Sequence, residues 1–141
     1  MKKYLLISLL LIIIAVIVFN FYKYREQNLG EILDIGQVEK IYLIAEKNEI
    51  QEFELISVDE ETLHELANFL NQYSVKLTNK DGYISNHENE RFELYLGFKN
   101  GEIERYTFER NVVVSDRVYE AVDAVFDYKW VQEFEREIHS K

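Results

Sequence analysis

The stretch from Tyr4 to Tyr22, YLLISLLLIIIAVIVFNFY, constrains this chain more than any other part of it. It holds no charged residue, and only Ser8 and Asn20 are strongly polar. As a helix rising about 1.5 Å per residue it reaches roughly 28 Å, close to the ~30 Å hydrocarbon thickness of a bilayer. A helix that is apolar all round is either a membrane span or buried in a core, and the length of this one favours the span. Tyr4 at one end and Phe21, Tyr22 and Tyr24 at the other fall where aromatic rings meet headgroups.

A cleaved secretory signal has a shorter apolar run and small residues at the cut, whereas this run ends in FNFYKYR. A lipoprotein signal needs a cysteine, and the chain has none. Residues 1–25 therefore read as an uncleaved signal anchor, with a transmembrane helix over 4–22. Lys2, Lys3 and the terminal amine precede the span while Lys23 and Arg25 follow it, which favours a cytoplasmic N-terminus. The expected location is the cell membrane, single-pass, with the C-terminal domain extracytoplasmic.

Charge divides sharply at that point. Residues 1–25 hold four of the 16 Lys+Arg and none of the 26 Asp+Glu, so residues 26–141 carry 12 minus 26, or −14. Such a body repels nucleic acid phosphates and is expected to stand off anionic lipid. The partners it favours are a cationic peptide or a basic protein surface, besides the membrane held through Tyr4–Tyr22. Solubility alone also accounts for a charge of this kind.

The segment EQNLGEILDIG, Glu26 to Gly36, has two glycines and mixed polarity and reads as a connector. The acidic domain is expected over 37–141. KIYLIA (Lys40–Ala45) and IQEFELISV (Ile50–Val58) read as two antiparallel strands joined by EKNE. DEETLHELANFLNQY then begins with Asp59 as helix N-cap and sets Leu63, Leu66, Ala67, Leu70 and Tyr73 on one helical face. Its acidic first turn complements the positive end of the helix dipole without any catalytic role.

HELAN within this helix resembles the zinc-protease pattern H-E-x-x-H only in part. His64 and Glu65 are present, but Asn68 stands where the second imidazole belongs. With three histidines and no cysteine, zinc has little to draw on, and no metal, cofactor or catalytic residue is assigned.

LTNKDGYISNHE (Leu77–Glu88) resembles a calcium-binding EF-hand loop. Gly82 falls at the sharp turn, Asn79 and Asp81 at oxygen-ligand positions, Tyr83 at the carbonyl position, Ser85 at the water-linked one and Glu88 at the bidentate carboxylate. Leu77 occupies the first position, normally Asp, and a strand pattern follows instead of a helix. The main expectation is a polar turn from Asn79 to Gly82 with an exposed loop after it. Weak calcium binding by Asn79–Glu88 is the alternative.

RFELYLGF (Arg91–Phe98) alternates as a strand and continues through Lys99-Asn100-Gly101-Glu102, a strong hairpin signal. A two-residue turn would put Glu93 opposite Phe108. A three-residue loop or a bulge is expected instead, which sets Phe92 opposite Phe108 and Leu94 opposite Tyr106. NVVV (Asn111–Val114) reads as another short strand or a continuation. From Ser115 or Asp116 onward, Val118, Val122, Phe126, Trp130, Phe134 and Ile138 recur every four residues and read as a helix, bent near Asp127-Tyr128 because that spacing drifts from 3.6. Trp130 reads as core.

The expected fold class is α+β: an antiparallel sheet of four to five strands with two helices packed on it, in the order ββ-α-ββ(β)-α, preceded by one transmembrane helix. In plan the chain resembles small single-pass membrane-anchored extracytoplasmic proteins of Gram-positive bacteria, a resemblance of layout that implies no activity and no site residue. No nucleophile elbow, phosphate loop or cysteine nucleophile is present, and pairs such as Glu60-Glu61 or Glu88/Glu90 are what 26 acidic residues produce by coincidence. A non-catalytic interaction or accessory domain is expected. An ion sensor using the 79–88 loop is the alternative, and an enzyme acting through a carboxylate pair is a second one.

Overall fold

A computed structural model describes residues 1–45 and 52–141. Helix α1 (Lys2–Lys23) carries the apolar stretch, and none of its residues is buried against the rest of the chain. It is long and apolar enough to cross a membrane. Only Tyr24, Arg25 and Glu26 separate it from the first strand.

The body is α+β, built on an antiparallel sheet of eight strands among the described residues: β1 (Gln27–Asn28), β2 (Val38–Ile44), β3 (Ile56–Ser57), β4 (Ser74–Leu77), β5 (Arg91–Phe98), β6 (Ile103–Glu109), β7 (Val112–Val114) and β8 (Val118–Ala121). Their spatial order is β1-β4-β8-β7-β6-β5-β2-β3. Three helices accompany them: α2 (Leu29–Ile32), α3 (Glu60–Asn71) and α4 (Tyr128–Ser140). The strand count exceeds the four to five expected because β1, β4 and β8 join the sheet, and three segments depart from what their sequence suggests.

The first is the supposed connector. Residues 26–36 are not a tether: Gln27 and Asn28 pair with Val75 and Ser74 of β4, and Leu29, Leu33 and Ile35 are buried in the core. Asn28 caps α2 by accepting a hydrogen bond from the Glu31 backbone N–H. The two glycines suggested flexibility, yet Leu29, Ile32, Leu33 and Ile35 supply an apolar face that the core takes up.

The second is the strand expected over Ile50–Val58. EKNE, Ile50 and Gln51 lie outside the described residues, and of the remainder only Ile56 and Ser57 pair with β2. Phe53 instead sets its ring 4.8 Å from Tyr42 and 4.9 Å from Tyr95, so this segment turns onto the sheet's outer face.

The third is the long C-terminal helix. Residues 118–121 form β8, paired with both β7 and β4, and helix begins only at Tyr128. A spacing of four is a multiple of two as well as nearly one helical turn, so Val118 and Val122 satisfy either period. β-branched and aromatic residues on both sides of the Ser115-Asp116-Arg117 turn decide for the hairpin.

Other expectations hold. Asp59 caps α3, its carboxylate accepting from Thr62 N at 2.7 Å. Leu66, Leu70 and Tyr73 are buried, and Leu63 and Ala67 are partly so. The β5–β6 hairpin has a three-residue loop: Phe98 N donates to Glu102 O and Gly101 N to Phe98 O, both at 2.9 Å, with Gly101 at φ 90°. Phe92 pairs with Phe108 and Leu94 with Tyr106, as that loop requires.

One face of the sheet presents Ile41, Leu43, Phe92, Leu94, Leu96, Tyr106, Phe108 and Val113 to the helices. Trp130 of α4 stacks on Phe69 of α3 at 4.0 Å and on Phe134 at 4.8 Å. Phe126 bridges Phe108 and Tyr73 at 5.2 and 4.9 Å. Trp130 is therefore partly buried and packed against the core.

Candidate functional site

The register places α1's exit, the start of β1, the end of β4, the β7–β8 turn and the tip of the β5–β6 hairpin at one end of the sheet, called here the near end. Two adjoining hollows open there. One, of about 420 Å³, is walled by Ile32 of α2, Glu104, Tyr106, Asp116, Arg117 and Tyr119. The second, of about 200 Å³, adds Asp34, Phe98 and Glu102 and shares Ile32 and Glu104 with the first. Together they form a groove between α2 and the two hairpins, with tyrosine and isoleucine surfaces on its floor and Asp34, Glu102, Glu104 and Asp116 against Arg117 on its walls.

Inside it, the Tyr106 hydroxyl donates to the Glu104 carboxylate. Burial, reinforced by the Glu104 and Asp116 charges, pushes this phenol well above its ordinary range, so it stays a donor at physiological pH. Ser115 Oγ donates to Asp116 at 2.9 Å. The groove thus pairs apolar contact area with surplus negative charge, which suits the alkyl stem and charged head of lysine or arginine.

Leu77–Glu88 is neither a hairpin turn nor a closed cation loop. β4 and β5 run in the same direction with three strands between them, so residues 78–90 must return over the outer face of the sheet. What fixes this crossing is Glu109, 1% exposed. Its carboxylate accepts from Ser85 Oγ at 2.7 Å, from Asn86 N at 2.8 Å and from His87 N, and is hydrogen-bonded to Tyr83. Burial alone would raise its pKa, but these donors outweigh burial and hold it below the usual carboxylate range.

The residues set against the calcium pattern are accordingly spread. Ser85 is spent on Glu109, while Asn79, Asp81 and Glu88 are exposed. Among the described residues no group of three or more His, Cys, Asp and Glu converges as a metal would need. His64 lies within reach of Asn68 Nδ2 at 3.1 Å, an exposed pair one helical turn apart. Glu60 and Glu61 sit in the first turn of α3, and Glu90 faces Arg110 at 3.7 Å.

Beyond the crossing loop, Glu93 on the same outer face takes Arg105 at 2.8 Å and Arg91 at 3.0 Å. Its burial raises the pKa, and the two guanidiniums more than reverse this. Sequence reasoning missed both Glu109 and the groove. Glu109 shares the alternation of Arg105 and Thr107, outward-facing neighbours, and nothing in IERYTFE marks it as the one that is buried. In comparison with known proteins, no family model, no curated protein and no solved structure matches the chain.

Proposed function

We propose that the chain is a single-pass membrane protein whose acidic body, outside the cytoplasm, is a non-catalytic interaction module, and that the near-end groove seats a cationic segment of its partner. The observation that carries this is α1: an apolar helix, wholly uncovered by the body, whose end lies three residues from a strand of the sheet that builds the groove. Lipid is the solvent such a helix requires, and the short joint keeps the groove beside the headgroups. Cationic peptides concentrate at anionic membrane surfaces, so the groove lies where such ligands accumulate.

Alkaline extraction of membranes, together with a reporter fused after Lys141, tests the anchor and its side. The chain is expected to stay with the bilayer and the reporter to be active only outside the cytoplasm; release at alkaline pH or an inside reporter sinks the reading. For the groove, a lysine-rich peptide is titrated against the full chain in neutral detergent. Glu104→Gln with Asp116→Asn is expected to weaken binding by roughly tenfold or more at low salt, and added salt to weaken the parent in the same direction.

A further inference from the structure

A second cleft lies on the other side of the β7–β8 turn, at the root of α1. It measures about 530 Å³ and is walled by Lys23 and Tyr24 from the helix, Thr78, Asn79 and Lys80 from the crossing loop, and Arg117 from the turn. Asp81 and Asp116 also line it, so its charged side chains sum to +1 within a body that carries −14. We propose that this cleft is a seat for the phosphodiester headgroup of an anionic membrane lipid, an inference that rests on α1 spanning a bilayer.

The body was expected to stand off anionic lipid, but a joint of three residues leaves no room for that. The near end must therefore meet the headgroups, and the cations are gathered where it does. Lys23, in the last turn of α1, lies at the level of the phosphates of the leaflet that the helix leaves. Its ammonium lies 5.3 Å from the centre of the Tyr24 ring and makes no ion pair among the described residues. Among the described residues Lys80 makes no ion pair and Arg117 pairs with Asp116 alone, at 3.9 Å with its side chain 60% exposed.

The backbones that carry these groups are tied down. Thr78 N and Thr78 Oγ1 both donate to Val118 O at 2.9 Å, and Lys80 N donates to Thr78 Oγ1 at 3.3 Å. The crossing loop and the turn are thus pinned together, and Lys80 and Arg117 line the same cleft as Lys23 and Tyr24. Guanidinium and ammonium donors from three separate elements, beside the Asn79 amide, match a phosphodiester with several acceptor oxygens.

The test uses the full chain in nanodiscs of phosphatidylcholine alone or mixed with phosphatidylglycerol. The readouts are the thermal midpoint and the number of lipids retained in native mass spectrometry. Phosphatidylglycerol is expected to raise the midpoint and to be retained in preference. Lys80→Gln with Arg117→Gln should cut that preference about thirtyfold, roughly fivefold per cation. The same variant should leave the midpoint in phosphatidylcholine unchanged. A pair at the opposite end of the sheet, Arg110→Gln with Lys129→Gln, should keep the preference.

Equal behaviour in both lipids, or a preference that survives the first pair or is lost with the second, overturns the seat while leaving the anchor intact. A chain that enters neither nanodisc overturns both. Inorganic phosphate reproducing the midpoint shift in neutral detergent would overturn the assignment to lipid.

Discussion

Glu109 shows how one side chain decides the course of thirteen others. Residues 78–90 have little apolar area to hold them on the sheet, and a carboxylate hidden beneath them supplies what they lack: acceptor sites for Tyr83, Ser85, Asn86 and His87. Glu109→Gln keeps the shape but turns an amide N–H₂ toward donors, and is expected to cost about 1–3 kcal/mol. Denaturant titration of the full chain in neutral detergent checks this, read by the fluorescence of Trp130, the only tryptophan. The sign with pH follows from the depressed folded pKa. The carboxylate contributes its full stability above the unfolded value, about 4.3, and loses it as pH falls through the folded one. The parent should therefore weaken on acidification more steeply than the Gln variant, and parallel acid limbs would refute this role.

At the level of elements, legibility followed from how many periods a pattern could satisfy. Helix α3 was readable because an N-cap, an acidic first turn and a 3.6-residue stripe all agree. The β5–β6 hairpin was readable because a two-residue turn would put Glu93 opposite Phe108, whereas a three-residue loop sets Phe92 there. β8 was not, since every-fourth-residue spacing fits a strand as well as a helix, and which one forms depends on pairing with β4, whose Val75 meets Ala121 and Leu77 meets Tyr119 across a long stretch of sequence. The groove was beyond reach for the same reason: its walls come from α2, β6 and the β7–β8 turn, and α2 belonged to a segment read as linker. That correction predicts that Leu29→Ala should cost about 2–5 kcal/mol, the range for a buried leucine. The same denaturant titration reads it, and a loss below about 1 kcal/mol would return residues 26–36 to the status of a tether.

For the molecule as a whole, the governing fact is the joint between α1 and β1. Tyr24, Arg25 and Glu26 are all that intervene, and Glu26 is paired with Lys76 of β4 at 3.4 Å. Inserting a flexible Gly-Ser segment after Arg25 should leave the thermal midpoint of the body in phosphatidylcholine unchanged. It should reduce the phosphatidylglycerol preference by roughly fivefold, one cation's share, because Lys23 no longer lines the same cleft as Lys80 and Arg117. An undiminished preference would show that helix and body need not cooperate.

The brevity of the joint also limits reach. A body of about 100 residues has a radius of gyration near 13 Å, so with α1 in a bilayer no part of this one extends more than roughly 40 Å above the surface. Whatever it engages must come down to that height: a neighbour in the same bilayer qualifies, and so does a peptide skimming the leaflet, but nothing fixed farther out can be grasped.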